Sequence, residues 1–205
     1  MAEDVEVQPQ NSWKERRKQQ LRDELIAVAL KLFEERGCDA TPVDEIAARA
    51  GVAKGTFYLY FTTKADIVQA ALESAVADLE RRVAAAVEQS PEDARVSLKS
   101  TIKAELAFFE EHHGMIPLLM DGRGLACQDL SPETREAQRY RYLAATQSVC
   151  ERIIRKGMLQ THYREVDARA TACALRGIIA ALVDEALRSG SSLAEIADVA
   201  MEIFE

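Results

Sequence analysis

Helix starts punctuate this chain at six points, and no other feature narrows its possible folds so far. They are Ser12-x-x-Glu15, Thr41-Pro42-Val43-Asp44, Thr63-x-x-Asp66, Ser90-Pro91-Glu92-Asp93, Ser131-Pro132-Glu133 and Ser192-x-x-Glu195. In these, a hydroxyl and a carboxylate stand where they can satisfy the free N–H groups of a first turn, although after Ser131 the carboxylate falls one position early. Three of the six put Pro at the first helical position, where its missing N–H costs nothing. Between the starts, apolar residues recur at helical spacing, as in Leu21, Leu25, Val28, Ala29, Leu32 and Phe33 of the first helix, which Gly37 ends.

With 5 Pro and 9 Gly in 205 residues, turn signals are too sparse for a sheet of many short strands. The spacing predicts an all-α chain. Its second helix runs over 42–50, a third of about seven residues follows Gly51, and a long fourth extends from 63 toward Gln89. Further helices are expected at 91–111, 115–121, 132–160, 168–189 and 193–204.

A net charge of −8 argues against a protein that coats nucleic acid without specificity. The distribution matters more, because Lys14 to Arg22 carries +4, five basic residues against Glu15, just ahead of an amphipathic helix. The four cysteines, Cys38, Cys127, Cys150 and Cys173, form no C-x-x-C pair and no zinc-ligand pattern, so buried free thiols are expected. No run approaches the ~18 apolar residues that span a bilayer, and the acidic start Met1–Glu6 leads into no signal segment. A cytoplasmic protein that does not enter membranes is expected.

Residues 43–61 have the parts of a helix-turn-helix. Val43, Ile46, Ala47 and Ala50 make the inner face of a short helix, Gly51 is the turn, and Val52, Phe57 and Phe61 anchor a second helix. That leaves Ala53, Lys54, Thr56, Tyr58 and Tyr60 outward. A solvated face would carry Glu/Lys pairs, whereas this one suits a major groove: lysine and threonine reach base edges or phosphates, and phenols pack on sugar or thymine methyl. The other reading of Tyr58 and Tyr60 is that they cover a helix junction.

The stretch from Thr41-Pro42-Val43-Asp44-Glu45-Ile46-Ala47 through Gly51-Val52-Ala53-Lys54-Gly55-Thr56-Phe57-Tyr58-Leu59-Tyr60-Phe61 to Lys64 resembles the TetR-family signature. The resemblance covers about fifty residues, and the later helices match the family's ligand-binding and dimerisation region only in order and length. It implies phosphate contacts from Thr41, Thr56, Tyr58, Tyr60 and Lys64, groove contacts from Lys54 and Gly55, and an arm at Arg16–Lys18. Pro42 stands where the family often has a second Thr, which removes one phosphate contact; Tyr60 stands where His is frequent and keeps a donor.

Downstream, the helix from Arg169 to Leu187 is apolar around most of its circumference, and Leu193, Ile196, Ala197, Ala200, Ile203 and Phe204 follow a helical stripe. These two helices either pack within one chain or meet a second copy as a four-helix bundle. Phe108, Phe109, Met115, Leu119 and Tyr142 either line a pocket for a small apolar or amphipathic ligand or form plain core. Glu110-x-x-His113 has the spacing of a carboxylate-bundle metal site but lacks a second such pair, so neither metal nor cofactor is expected.

The organisation expected is a disordered tail at 1–11, a three-helix DNA-binding domain at 12–63, and a helical ligand-binding and dimerisation domain at 64–205. Its expected work is repression: a homodimer joined through the last two helices holds a palindromic double-stranded operator and is released by a small molecule. Two alternatives remain, a DNA-binding protein of the same fold without a ligand and an all-helical enzyme or carrier. The second lacks a nucleophile–base pair and a Gly-rich phosphate loop.

Overall fold

The computed structural model describes residues 9–89, 92–113, 127–193 and 196–204, and no strand occurs among them. Eight helices are described: α1 (Pro9–Arg36), α2 (Val43–Arg49), α3 (Lys54–Phe57), α4 (Lys64–Gln89), α5 (Ala94–Glu111), α6 (Pro132–Leu159), α7 (Ala168–Ser189) and α8 (Ile196–Phe204). The expected helix at 115–121 lies outside the described residues.

Among the described residues, one of the starts holds as a capping box, at Thr63, and another as a plain N-cap, at Ser131. Thr63 N–H donates to Asp66 Oδ2 at 2.8 Å, and Asp66 N–H returns the bond to Thr63 Oγ1 at 3.2 Å. Ser131 Oγ accepts from Thr134 N–H at 3.2 Å, with Pro132 in the first turn of α6. Ser12 behaves otherwise, since α1 is already helical at Pro9 and runs through it. Of the tail expected at 1–11, only 9–11 is described, as the first turn of α1. The start expected at Ser90 moves to Asp93, whose carboxylate accepts from the N–H groups of Arg95 and Val96. Asp167 caps α7 in the same way, an isolated aspartate that needs no hydroxyl. Backbone donors hold both carboxyls below their ordinary pKa, Arg95 N–H first for Asp93 and Ala170 N–H first for Asp167.

The long helix α4 packs against α1 on one side and against α5 and α6 on the other. Buried residues from Leu25 in α1 to Met201 in α8 form one continuous apolar cluster. α7 packs on α6 and α8, and α8 also touches α5.

Two cysteines depart from the expected free buried thiols. Cys38, after α1, and Cys127, ahead of α6, lie 89 residues apart in sequence and form a disulfide, with Cα atoms 5.4 Å apart. Their spacing hid the pairing because it is made by tertiary packing. Cys150 is free and buried, and burial pushes its thiol pKa up to about 12; Cys173 is free but exposed on α7.

Candidate nucleic-acid interface

α2 and α3 pack at a turn that only glycine enters easily: Gly51 has φ +71°, in the left-handed region. Gly51 N–H donates to Ala48 O at 3.1 Å and Val52 N–H to Ala47 O at 3.0 Å, which closes the turn. Phe57 and Phe61, ring centroids 5.6 Å apart, are buried and fix the inner face of α3 and the residues after it. α3 is four residues long, shorter than the seven expected. Leu59 N–H turns to Thr56 O and Tyr60 N–H to Phe57 O, bonds of i to i−3 type that tighten the chain beyond Phe57.

Anchoring by Phe57 and Phe61 turns the residues between them outward. Lys54, Gly55 and Tyr58 are exposed, whereas Thr56 and Tyr60 are half-buried. Leu59, 75% exposed, stands out beside them. Sequence reasoning gave Leu59 no role, yet its place two residues after one anchor and two before the next points it away from the core. Lys54 Nζ meets Asp44 Oδ1 at 2.6 Å, and that hydrogen-bonded carboxylate holds the ammonium above its ordinary pKa.

The first turns of α1 add a basic wall. Trp13, Arg16, Arg17, Gln20, Leu59 and Tyr60 are among the residues around an open groove of about 1110 Å³ between α1 and the end of the helix-turn-helix. Arg17 lies over the Trp13 ring, 5.7 Å from its centroid. Farther along, Arg36 and Arg49 are occupied by Glu45 and Glu35 at 2.9 and 2.6 Å, bridges that fasten α1 to α2.

Two residues expected at phosphates are placed otherwise. Thr41 is buried, and its hydroxyl donates to Gly37 O at 2.8 Å, closing the C-terminal end of α1 instead of facing solvent. Lys64, 16% exposed, pairs through Nζ with Asp129 Oδ2 at 2.9 Å. That pair belongs to a junction between the two halves of the chain, where Gln128 N–H also donates to Asp39 Oδ1 at 2.9 Å and His112 Nδ1 lies 2.5 Å from Glu34 Oε1.

The helical half has a polar seam that sequence reasoning missed. Where α5, α6 and α7 meet, the Tyr142 hydroxyl donates to Glu105 Oε1 at 2.5 Å, and Arg176 Nη1 reaches the same oxygen at 3.2 Å. The Arg176 guanidinium also lies over the Tyr142 ring, 4.9 Å from its centroid. All three side chains are buried. Burial raises the Tyr142 pKa well above its ordinary value; burial, the largest influence on Arg176, would lower its pKa, but the Glu105 carboxylate and Tyr142 together outweigh it. Among the described residues, Thr101 Oγ1, Gln138 Oε1, Thr146 Oγ1 and Arg176 Nε are buried without a hydrogen-bond partner. Thr101 lies one turn from Glu105 on α5, and Gln138 and Thr146 lie one turn either side of Tyr142 on α6, so they share the seam's faces.

Of the expected pocket residues, Phe108, Phe109 and Tyr142 are fully buried, with Phe109 and Tyr142 ring centroids 5.9 Å apart beside the seam. Met115 and Leu119 lie outside the described residues. No helix among the described residues is long and apolar enough to cross a membrane.

Comparison with known proteins agrees with this geometry. Residues 25–71 match the family model described as bacterial regulatory proteins, tetR family. The chain is 22% identical over 187 residues to the uncharacterised HTH-type transcriptional regulator YerO of Bacillus subtilis, covering 90% of this chain but 62% of that relative's length. It is 29% identical over 165 residues to the HTH-type transcriptional activator FasR of Mycolicibacterium smegmatis, 80% of this chain and 70% of that one. The fold matches the crystal structure of the regulator FadR of Bacillus subtilis in complex with stearoyl-CoA, with a TM-score of 0.73 and 22% identity over 88% of this chain and 96% of that one. The helix-turn-helix built on Gly51, Phe57 and Phe61 is thus a DNA-binding segment of the tetR type, and the all-helical domain behind it shares the fold of FadR.

Proposed function

We propose that the protein is a transcriptional regulator that binds a palindromic operator as a homodimer and is released from it by a small molecule held in the helical domain. The observation that carries this reading is the outward face of the helix-turn-helix, where Lys54, Gly55 and Thr56 lead up to buried Phe57, and Tyr58, Leu59 and Tyr60 stand between it and buried Phe61. Lys54 reaches a guanine edge or a phosphate, Tyr58 and Tyr60 hydrogen-bond phosphates, and the exposed Leu59 meets a thymine methyl. The basic groove beside α1 takes the neighbouring backbone.

The dimer forms through α7 and α8. In the single chain, α7 leaves Cys173, Ala174, Gly177, Ala181 and Leu187 exposed, and α8 leaves Val199 exposed, an apolar surface that a second copy covers. Ligand enters the seam of α5, α6 and α7, with Phe108, Phe109 and Tyr142 as its apolar wall. The unpartnered atoms of Thr101, Thr146 and Arg176 favour an amphiphile with a hydrogen-bonding or anionic group. FadR, of the same fold, is known with stearoyl-CoA, which makes that molecule a first probe. Release follows if the ligand prefers one spacing of the two reading heads.

Selection of random duplexes on the purified protein, followed by sequencing, tests the reading. An enriched palindrome, weakened by Lys54→Ala and Tyr58→Phe and altered in base preference chiefly by Lys54→Ala, supports it. Retention with no dependence on salt contradicts the phosphate contacts.

A further inference from the structure

The junction between the DNA-binding half and the helical half holds more than side-chain contacts. Cys38 closes the turn after α1, and Cys127 opens the segment before α6; both are buried, and their Cα separation of 5.4 Å is that of bonded cysteines. On one side of the pair, Asp39 accepts from Gln128 N–H, and on the other Asp129 holds Lys64. The sulfurs therefore meet in the orientation that keeps the Lys64 ammonium on a carboxylate of the helical half.

The geometry points to an oxidation site: a peroxide converts the Cys38 and Cys127 thiols to a disulfide that staples the DNA-binding half to the helical half and keeps Lys64 from a phosphate. This rests on the DNA-binding reading above. The sulfurs are buried, which excludes bulky disulfides and favours an oxidant little larger than water. One thiolate attacks a peroxide oxygen, the O–O bond breaks, and a sulfenic acid forms while the departing hydroxide takes a proton to become water. The second sulfur attacks the sulfenic sulfur, the S–S bond forms, the S–O bond breaks, and the hydroxyl leaves as water with the second thiol's proton. Two electrons pass from the sulfurs to the peroxide. An external dithiol returns them through a mixed disulfide.

The other two cysteines do not compete for this role. Neither has a cysteine partner: Cys150 is free and buried, its thiol pKa raised to about 12, and Cys173 is free on the α7 face assigned above to the dimer. A divalent cation is the rival occupant, since ligand atoms of Cys38, Asp39, Cys127 and Asp129 lie within 4.8 Å of one another. It is disfavoured because Asp39 already accepts a backbone N–H and Asp129 already carries the Lys64 ammonium, which repels a cation.

The experiment uses the full chain with Cys173→Ser, reduced, and the duplex that the reduced protein selects. After hydrogen peroxide, peptide mapping should find Cys38 joined to Cys127, and duplex affinity at fixed salt should fall about tenfold, two phosphate contacts per dimer being lost. Dithiothreitol should restore it. Cys38→Ser and Cys127→Ser should each abolish the response, and Asp129→Asn should still form the link but lose most of the affinity difference. A map without the link overturns the proposal whatever the duplex does, as does a link that leaves affinity unchanged. One zinc per reduced chain, lost in either serine variant, assigns the cluster to a metal and overturns it too. A chain that forms the link reversibly but retains no duplex when reduced overturns the DNA-binding reading and the role given to Lys64, while the thiol pair stands.

Discussion

Tyr142 donates its phenolic hydrogen to Glu105 across the interface of α6 and α5, inside a core that admits few other polar groups. The bond leaves the buried carboxylate shared between a hydroxyl and the Arg176 guanidinium. Glu105→Leu alone strands Arg176 as an uncompensated buried cation and should cost about 3–5 kcal/mol in chemical denaturation. The double variant Glu105→Leu, Arg176→Met should recover most of that loss. A double variant no more stable than the single one would show that the seam is not an ion pair in energetic terms.

Leu59→Ala removes a side chain that is three-quarters exposed in the single chain. Stability should stay within about 0.5 kcal/mol of the parent, whereas affinity for the selected duplex should drop about fivefold, through lost apolar contact with a thymine methyl. Equal affinity in the two proteins would remove Leu59 from the interface.

Asp44 draws Lys54 aside at 2.6 Å and brings a negative charge toward the phosphates. Asp44→Asn frees the ammonium and removes that repulsion, so duplex affinity should rise about threefold at low salt and the gain should shrink as salt is added. Fluorescence anisotropy over a salt series measures both.

Asp93 and Asp167 cap α5 and α7 as carboxylates, with pKa values held below the unfolded value by backbone N–H donors. A depressed folded-state pKa gives stability that is complete above the unfolded value, about 3.9, and disappears as pH falls through the lower folded value. Acid unfolding should therefore steepen below about pH 4, and Asp167→Asn should flatten part of that slope while changing stability less near neutrality. Circular dichroism against pH reads the difference.

Gly157 has no room for a side chain. A Cβ there would fall against the ring edge of Tyr163, with Ala94 Cβ 3.2 Å away on α5. Gly157→Ala should destabilise the fold by about 1–3 kcal/mol, and adding Tyr163→Ala should recover part of the loss if overpacking is the cause.

Local chemistry was legible in the sequence and tertiary chemistry was not. The caps at Thr63 and Ser131 and the turn at Gly51 depend on neighbours within a few residues, and α6 and α7 begin where the sequence pattern put them. Ser12 misled because a hydroxyl followed by a glutamate also occurs inside a helix, where it does nothing for the ends. Thr41 misled for the opposite reason: its hydroxyl serves the helix behind it. Glu105 and Arg176 drew no reading from the sequence, where a single charge in a helix has no visible partner. Their only sign was that each interrupts an apolar stripe, and the residue that answers each interruption stands 71 positions away. Cys38 and Cys127 escaped notice for the same reason.

The apolar cluster that runs without a break from α1 to α8 also bears on modularity. A cut after residue 63 looks natural by motif, but it would strip α1 of the face that α4 covers and leave the reading head with an open flank. The two halves thus share one core, and a chimera that borrows the helix-turn-helix must carry α4 with it.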